Sequence, residues 1–348
     1  LNSVIRILFI ADTHLGFDYT FNPRIERRRR GDDFFRNYEI ALKPALDGQV
    51  DVVVHGGDLL YRSKVPPKLV WMAFQPLLKI ADSGIPIYLV PGNHERSAIP
   101  HELLGAHSNI HIFREPQTFL YEKNNTRIAF SGFPSDRDRI RDNFKELLSQ
   151  TSWQRTDADF RFLCLHQAIE GAQVGVQNYT FRNTPDVIIG NELPSEFTAI
   201  LTGHIHRAQI LTRDLKKQPL PCPVYYPGSI ERTDYAEMNE KKGYFIIEVR
   251  KNTEQKLSHQ FYELPARPMF RIQAPDSITS DEEMEDFIRK SISSLPKDAV
   301  IKIRIPDNLQ TGDFPCLHSA SMRNIVPETM NYDLSFRRPY AQEDKSTR

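Results

Sequence analysis

The chain has 348 residues, with 45 Lys+Arg against 45 Asp+Glu and a formal net charge of zero. With 40% hydrophobic and 26% charged residues, it has the composition of a globular protein, not of a disordered one. A mean hydropathy of −0.48 and the lack of an apolar run of ~18 residues argue against a transmembrane helix. Zero net charge speaks against nucleic-acid binding by bulk positive charge, though not against a local basic surface.

Four early segments are short apolar runs that end in polar residues: VIRILFIAD (4–12), VDVVVHGGD (50–58), IPIYLVPGN (85–93) and TRIAFSGF (126–133). Runs of this kind predict strands buried on both faces. Helices are expected at 33–47 and 66–83, which gives a βαβαβ pattern and a parallel sheet. From 160 to 264, six strand-like runs follow one another with short connections, and this spacing predicts antiparallel hairpins. Pro265 and Pro268 mark a linker. Beyond it, 269–274, an acidic helix near 280–293 and 299–305 predict a small β-α-β unit, while the last forty or so residues show no pattern. The expected domains are 1–265 and 266–348. The overall expectation is an α/β chain with two stacked sheets flanked by helices and a small C-terminal α+β domain. Three cysteines, Cys164, Cys222 and Cys316, form no C-x-x-C pair, which predicts a reducing, cytoplasmic setting.

The polar residues at the strand ends form an ordered set. They are Asp12 and His14 in DTH, Asp58 in GGD, Asn93 and His94 in GNHE, His166 in LHQ, and His204 and His206 in GHIH. In open α/β sheets the carboxyl ends of strands converge on the ligand crevice. Imidazole, amide and carboxylate donors without thiolate suit Mn, Fe or Zn. A carboxylate shared by two such ions is suited to clamping a phosphoryl group in displacement. His55 lies within an apolar strand and is read as a satisfied core residue. His101, His107, His111, His259 and His318 lack motif context and are read as surface or structural.

This set resembles the calcineurin-like metallophosphoesterase superfamily over residues 12–206. The resemblance implies a two-sheet sandwich. It also implies one metal on Asp12, His14, Asp58 and His206, and a second on Asp58, Asn93, His166 and His204. His94 would act on the leaving oxygen or stabilise developing charge.

DTHLGF with the arginines after it, YPGSIERTDYAEMNEKKGYFIIEV (226–249) and RPMFRI (267–272) narrow the likeness to the SbcD-type nuclease subunits of DNA double-strand-break repair. That resemblance covers about 1–305. It implies a Mn-dependent exonuclease and endonuclease with a capping domain, a homodimer, DNA as substrate and an SbcC-type coiled-coil ATPase partner. It further implies cytoplasmic, nucleoid-associated localisation in a prokaryote. Tyr61 stands where the family commonly has a histidine near the DNA phosphate. Its hydroxyl can hydrogen-bond a phosphate but cannot become a cation near pH 7. Glu95 stands where an aspartate is usual and is read as a change of little effect. Residues 306–348 do not resemble the family's ATPase-binding segment.

Residues 24–30 (RIERRRR) carry five Arg and one Glu. Arg27, Arg28, Arg29 and Arg30, with Tyr61 and Arg207, are the candidate phosphate contacts. The acidic stretch 276–286 is read as an outward helix face. On the apolar helix at 69–74, Trp71 and Phe74 are candidates for burial first and for a dimer interface second. Two other functions remain open. One is a phosphoprotein phosphatase or small phosphodiesterase, although GDLLYRS (57–63) lacks the Arg-Gly pair of the protein phosphatases. The other is a non-catalytic DNA-binding scaffold of a repair complex.

Overall fold

The structure is a computed structural model and describes residues 4–21, 27–95, 107–137, 139–182, 184–251, 253–306 and 314–336. The chain forms two compact units, Leu1–Tyr19 with Gly31–Ala266, and Thr20–Arg30 with Arg267–Arg348. Among the described residues no helix is long and apolar enough to cross a membrane.

The first unit holds two six-stranded sheets. Its early elements are β1 (Val4–Ile10), α1 (Arg30–Leu46), β2 (Val52–His55), α2 (Pro67–Asp82), β3 (Ile87–Leu89), β4 (Ile110–Ile112), β5 (Gln117–Lys123), β6 (Thr126–Gly132), α3 (Ile140–Gln150) and β7 (Phe160–His166). Four two-residue strands follow: β8 (Ala168–Ile169), β9 (Gln173–Val174), β10 (Tyr179–Thr180) and β11 (Val187–Ile188). Then come β12 (Ala199–Gly203), β13 (Gln209–Arg213), β14 (Pro219–Tyr226), β15 (Gly243–Arg250) and β16 (Leu257–Glu263). The first sheet runs β16-β15-β1-β2-β3-β4 and the second β13-β14-β12-β7-β6-β5. In the first, β1 to β4 are parallel and β1 pairs antiparallel with β15.

Burial on both faces explains the continuous apolar runs. Ile5, Ile7, Phe9, Val52, Val54 and Tyr88 of the first sheet share one core with Phe130, Phe162, Cys164, Leu201 and Tyr225 of the second. Leu8, Ile10, Val53 and Leu89 alternate to the opposite face and are also fully buried. On the first sheet's helical side, α2 contacts β3, and the Tyr38 hydroxyl of α1 donates to the Ala73 carbonyl of α2 at 3.0 Å. The second sheet packs Leu163, Leu165, Ile200 and Val224 with Ile140, Phe144 and Leu148 of α3.

The pairing departs from the hairpin expectation across 160–264. Strands β6, β7, β12 and β14 pair with one another in parallel. Of the six expected strands, only β13–β14 and β15–β16 pair as hairpins among the described residues, and the short β9–β10 pair is antiparallel as well. The reason lies in burial and connection length. Every residue of β12, and all but one of β7, is buried, as suits a parallel strand between two layers. The chain from β7 to β12 spends its length on the β8–β11 and β9–β10 pairs, which provides the crossover that parallel pairing needs.

In the second unit, β17 (Met269–Gln273), β18 (Val300–Ile305) and β19 (Asn331–Phe336) form a parallel sheet in that order. Helix α4 (Asp281–Ser293) connects the first two strands. Where no pattern was expected, the chain adds α5 (Ser319–Ile325) and β19. Met284, Ile288 and Ile292 of α4 and Met322 and Ile325 of α5 share a core with Ile301 and Ile303 of β18. Arg267 is 2% exposed. Its guanidinium donates to the Asp298 carbonyl at 2.7 Å, the Thr329 carbonyl at 2.9 Å and Asn331 Oδ1 at 2.5 Å.

Candidate metal centre

Two loops meet first. The segment after β1 and the segment after β2 run side by side, with Asp12 N–H donating to the Gly57 carbonyl at 2.9 Å, His14 N–H to Asp58 O at 3.0 Å and Leu15 N–H to Leu59 O at 2.9 Å. This zipper brings Asp58 to Asp12 and His14, from which it is far removed in sequence. Asn93 follows β3, His166 ends β7, and His204 and His206 follow β12. All of these side chains therefore sit at the carboxyl ends of parallel strands drawn from both sheets.

Glycine makes the approach feasible. A Cβ on Gly92 would lie 2.1 Å from Asp58 Oδ1, and one on Gly57, whose φ is +99°, would lie 2.4 Å from His166 Nδ1. Four non-glycine residues of the site are themselves left-handed: Asp12 (φ 50°), His14 (43°), Asp58 (53°) and His204 (81°). Such conformations cost of order 1–3 kcal/mol each and cluster at functional sites.

The donors converge closely. His166 Nε2 lies 2.9 Å and His204 Nδ1 3.0 Å from Asn93 Oδ1. His166 Nε2 is 3.3 Å, and His14 Nε2 3.9 Å, from Asp58 Oδ2. The His204 N–H donates to both Asp12 carboxylate oxygens at 3.1 Å. Among the described residues, three groups are tight enough to hold an ion: Asp12–His14–His206, His14–Asp58–His94 and Asp12–Asp58–His166. Asp12, His14, Asp58 and His166 are all no more than 2% exposed.

The imidazoles show how well this set fits a cation. His166 Nδ1–H donates to the Gly56 carbonyl at 2.8 Å, and His206 Nδ1–H to Glu237 Oε1 at 3.0 Å. In the neutral ring each then presents an Nε2 lone pair inward. His206 Nε2 faces His14 Nε2 at 2.9 Å, and His14 Nδ1 is buried without a hydrogen-bond partner. Lone-pair donors turned on one another inside a buried, carboxylate-bearing cup fit metal ions, and the N/O chemistry suits borderline divalent ones.

Charge is strongly coupled here. Burial pushes the Asp12 carboxyl up and the His14 and His204 imidazoles down, His204 to about 3. Burial also opposes the charged forms of Asp58 and His166, but each supports the other. The Asp58 carboxyl is held below the usual carboxylate range, and His166 is raised to about 9. At Glu237, Lys242 and His206 outweigh burial and hold the carboxyl low.

His94 differs from the other imidazoles. Its side chain is 35% exposed, and its Nε2 lies 3.8 Å from Asp58 Oδ2. Its Nδ1–H donates to the Tyr61 carbonyl at 2.6 Å and its backbone N–H to Asp58 Oδ1 at 2.9 Å. It stands on an open cleft of about 620 Å³ lined by Tyr61, Arg62, Ser63, Lys64, Asn93, His94 and Arg137. Arg137 donates to the Asn93 carbonyl, and the Arg62 guanidinium lies 5.3 Å from the Tyr61 ring centroid. Arg62, Lys64 and Arg137 were missed in the sequence because they belong to no arginine run.

The other candidate contacts are engaged by partners of their own. Arg27 belongs to the second unit, where its guanidinium donates to the carbonyls of Val326 at 3.0 Å, Pro327 at 3.0 Å and Met330 at 2.9 Å. It also lies 5.5 Å from the Tyr332 ring centroid. Arg28 pairs with Asp298 at 3.6 Å, and Arg29 and Arg30 have partners of their own. Residues 24–26 of the run lie outside the described residues. Arg207 is held by Glu240 at 3.1 Å, Asn178 at 2.7 Å and the Gly175 carbonyl at 2.6 Å. Of the six candidate phosphate contacts, Tyr61 is the one that lines the cleft.

Glu95 does more than expected. It is 3% exposed, accepts N–H donors from Leu59, from Leu60 at 3.1 Å and from Gly92 at 2.7 Å, and so ties the Asp58 loop to the Asn93 loop. Burial pushes its carboxyl up to about 7.

The calcineurin-like phosphoesterase family model matches residues 5–208, a span that contains all seven candidate ligands and His94. The chain is 24% identical over 283 residues to the DNA double-strand break repair protein Mre11 of Aeropyrum pernix, covering 77% of this chain and 63% of that protein. It is 24% identical over 325 residues to the Mre11 of Archaeoglobus fulgidus, covering 84% and 65%. The chain thus spans a little less than two thirds of these relatives. A dimetal phosphatase structure from Danio rerio aligns at a TM-score of 0.43 and 10% identity, covering 74% of this chain and 99% of that one.

Proposed function

Because the chain belongs to the calcineurin-like phosphoesterase family, matched over residues 5–208, we propose that it is a Mn-dependent DNA nuclease working at a two-metal centre in double-strand-break repair. The observation that carries the metal reading is the convergence of Asp12, His14, Asp58, Asn93, His166, His204 and His206 at one end of both sheets. One ion would be held by Asp12, His14, Asp58 and His206, and the other by Asp58, Asn93, His166 and His204. Bound there, two divalent ions would supply Lewis-acid activation of a phosphodiester and of the attacking water.

The protein's own groups do the rest. The Tyr61 carbonyl holds the His94 Nδ1–H, which leaves Nε2 beside Asp58 and the open cleft. In this reading His94 Nε2 acts on the departing sugar oxygen or stabilises the charge that develops there. Arg62, Lys64 and Arg137 offer charge to the flanking phosphates, with the Tyr61 hydroxyl as a neutral donor. The choice of DNA over other phosphoesters is supported by this basic cleft and by the two Mre11 relatives.

The same reading takes residues 1–265 as the nuclease domain and 266–348 as a capping domain. It includes a homodimer, an SbcC-type ATPase partner and cytoplasmic localisation. On α2, Trp71 is 55% exposed and Phe74 1%, so Trp71 is the residue of that helix offered to a second copy.

A cleavage assay on labelled duplex and single-stranded DNA, with Mn²⁺, Mg²⁺ and Zn²⁺ compared, tests the function. Mn²⁺-dependent shortening of DNA is expected. Turnover of a phosphopeptide or cyclic nucleotide but not of DNA would assign another phosphoesterase activity. Salt-dependent DNA binding with no cleavage under any metal would leave a scaffold.

A further inference from the structure

Lys242 is 1% exposed, and its side chain is fully buried. Its ammonium has three N–H donors and uses all of them. They reach the His206 carbonyl at 2.8 Å, Glu237 Oε2 at 2.6 Å and Glu240 Oε2 at 3.2 Å. Glu237 spends its other oxygen on the His206 Nδ1–H at 3.0 Å and on the Thr233 hydroxyl at 2.7 Å. One ammonium therefore holds both the main chain of His206 and the carboxylate that orients its ring.

Charge within the cluster is balanced. Glu240 also accepts from Arg207 Nε at 3.1 Å, so two carboxylates face two cations. A buried charge without its partner is costly, whereas a fully hydrogen-bonded set fixes geometry. The residues come from YAEMNEKKG (235–243), beyond the span that the family model matches.

Building on the metal-centre reading, we propose that Glu237 and Lys242 are positioning residues for His206. They lock its Nδ1–H tautomer and ring orientation so that Nε2 is presented to the ion shared with Asp12 and His14, and they thereby set the affinity of that one subsite. Partners of this kind typically change metal affinity by ~10–100-fold.

The test compares the wild-type protein with Glu237→Gln and with the charge-neutral double variant Glu237→Gln/Lys242→Met. Mn²⁺ stoichiometry and affinity are read by titration calorimetry, and the His206 ring nitrogens by ¹⁵N NMR of the metal-free protein. Both variants should keep one Mn²⁺ at wild-type affinity and bind the other ~10–100-fold more weakly. The His206 Nδ1–H signature should weaken alongside. A merely structural cluster would lower the melting temperature and leave the NMR signature and the folded protein's Mn²⁺ affinity unchanged, which would overturn the proposal. Should the double variant not fold, the near-isosteric Glu237→Gln carries the same comparison. Wild-type protein that takes up no Mn²⁺ would overturn the metal-centre reading itself.

Discussion

His94 and Asp58 share a hydrogen bond yet face different surroundings, and their substitutions should separate cleanly. His94→Ala is expected to keep both metals and lose activity by ~10²–10⁴-fold, the usual contribution of a placed acid. Metal analysis beside a turnover assay checks it, and wild-type turnover would remove the role given to His94. Asp58→Ala should lose bound metal together with activity. Unchanged metal content in that variant would sink the bridging assignment. His55 gives a prediction of another kind. Its Nδ1 accepts the Gly57 N–H at 3.2 Å, so Nε2–H donates to the Thr13 hydroxyl at 3.1 Å. Burial holds this neutral ring down to about 3. The unfolded chain takes up the proton below ~6.5 and the folded one does not. Stability from His55 is thus full above that pH and is lost as pH falls, by ~2 kcal/mol between pH 7 and pH 5. Melting curves of wild type and His55→Gln at both pH values should show the variant losing less on acidification. The donors were legible in the sequence because each is a polar residue ending an apolar run. Glu95, Glu237 and Lys242 were not, because buried charges in loops follow no period. The bonds of Arg27 were hidden for a related reason: its carbonyl partners lie about three hundred residues away.

Helices and strands obey local rules where burial is one-sided. On α4, Ser280 accepts the Glu283 N–H at 3.2 Å while Glu283 Oε2 accepts from the Thr279 N–H at 2.9 Å, a reciprocal N-terminal cap. Ser280→Ala should destabilise the second unit by ~1 kcal/mol. Denaturant unfolding followed within that unit would measure it, and no change would mean that the cap is redundant. The expected helices at 33–47, 66–83 and 280–293 appear at Arg30–Leu46, Pro67–Asp82 and Asp281–Ser293. Strand direction was harder to read. FRFLCLHQ and TAILTGH say that the strands are buried, but burial alone does not say which way a neighbour runs. The final strand did leave a trace, since NYDLSF alternates polar and apolar residues. Its brevity among irregular residues concealed it.

At the scale of the molecule, the metal end joins the two sheets. Donors from β1, β2 and β3 on one side and from β7 and β12 on the other meet there, with four left-handed residues among them. An ion that binds only the folded form adds stability in proportion to the logarithm of its concentration over Kd. At a hundredfold excess this is ~2.7 kcal/mol per site. For a unit of this size that corresponds to roughly 5–10 °C in Tm. Melting curves with EDTA and with Mn²⁺ should therefore differ by at least that much, and coincident curves would show that the cup does not bind Mn²⁺.

The first strand of the sheet is completed by one from far along the chain. β1 lies between β2 and β15, paired from Val4↔Arg250 to Phe9↔Phe245. On the ribosome β1 emerges before its second neighbour, which follows some 240 residues later. At ~5–20 residues per second, that is a wait of roughly 10–50 s. Throughout it the first sheet carries an open, apolar edge of the kind that invites pairing with another chain. The Arg27 segment waits longer still, for the carbonyls at Val326, Pro327 and Met330. Neither unit can therefore be closed from its earliest residues alone, and each waits for partners from the far end of its own sequence.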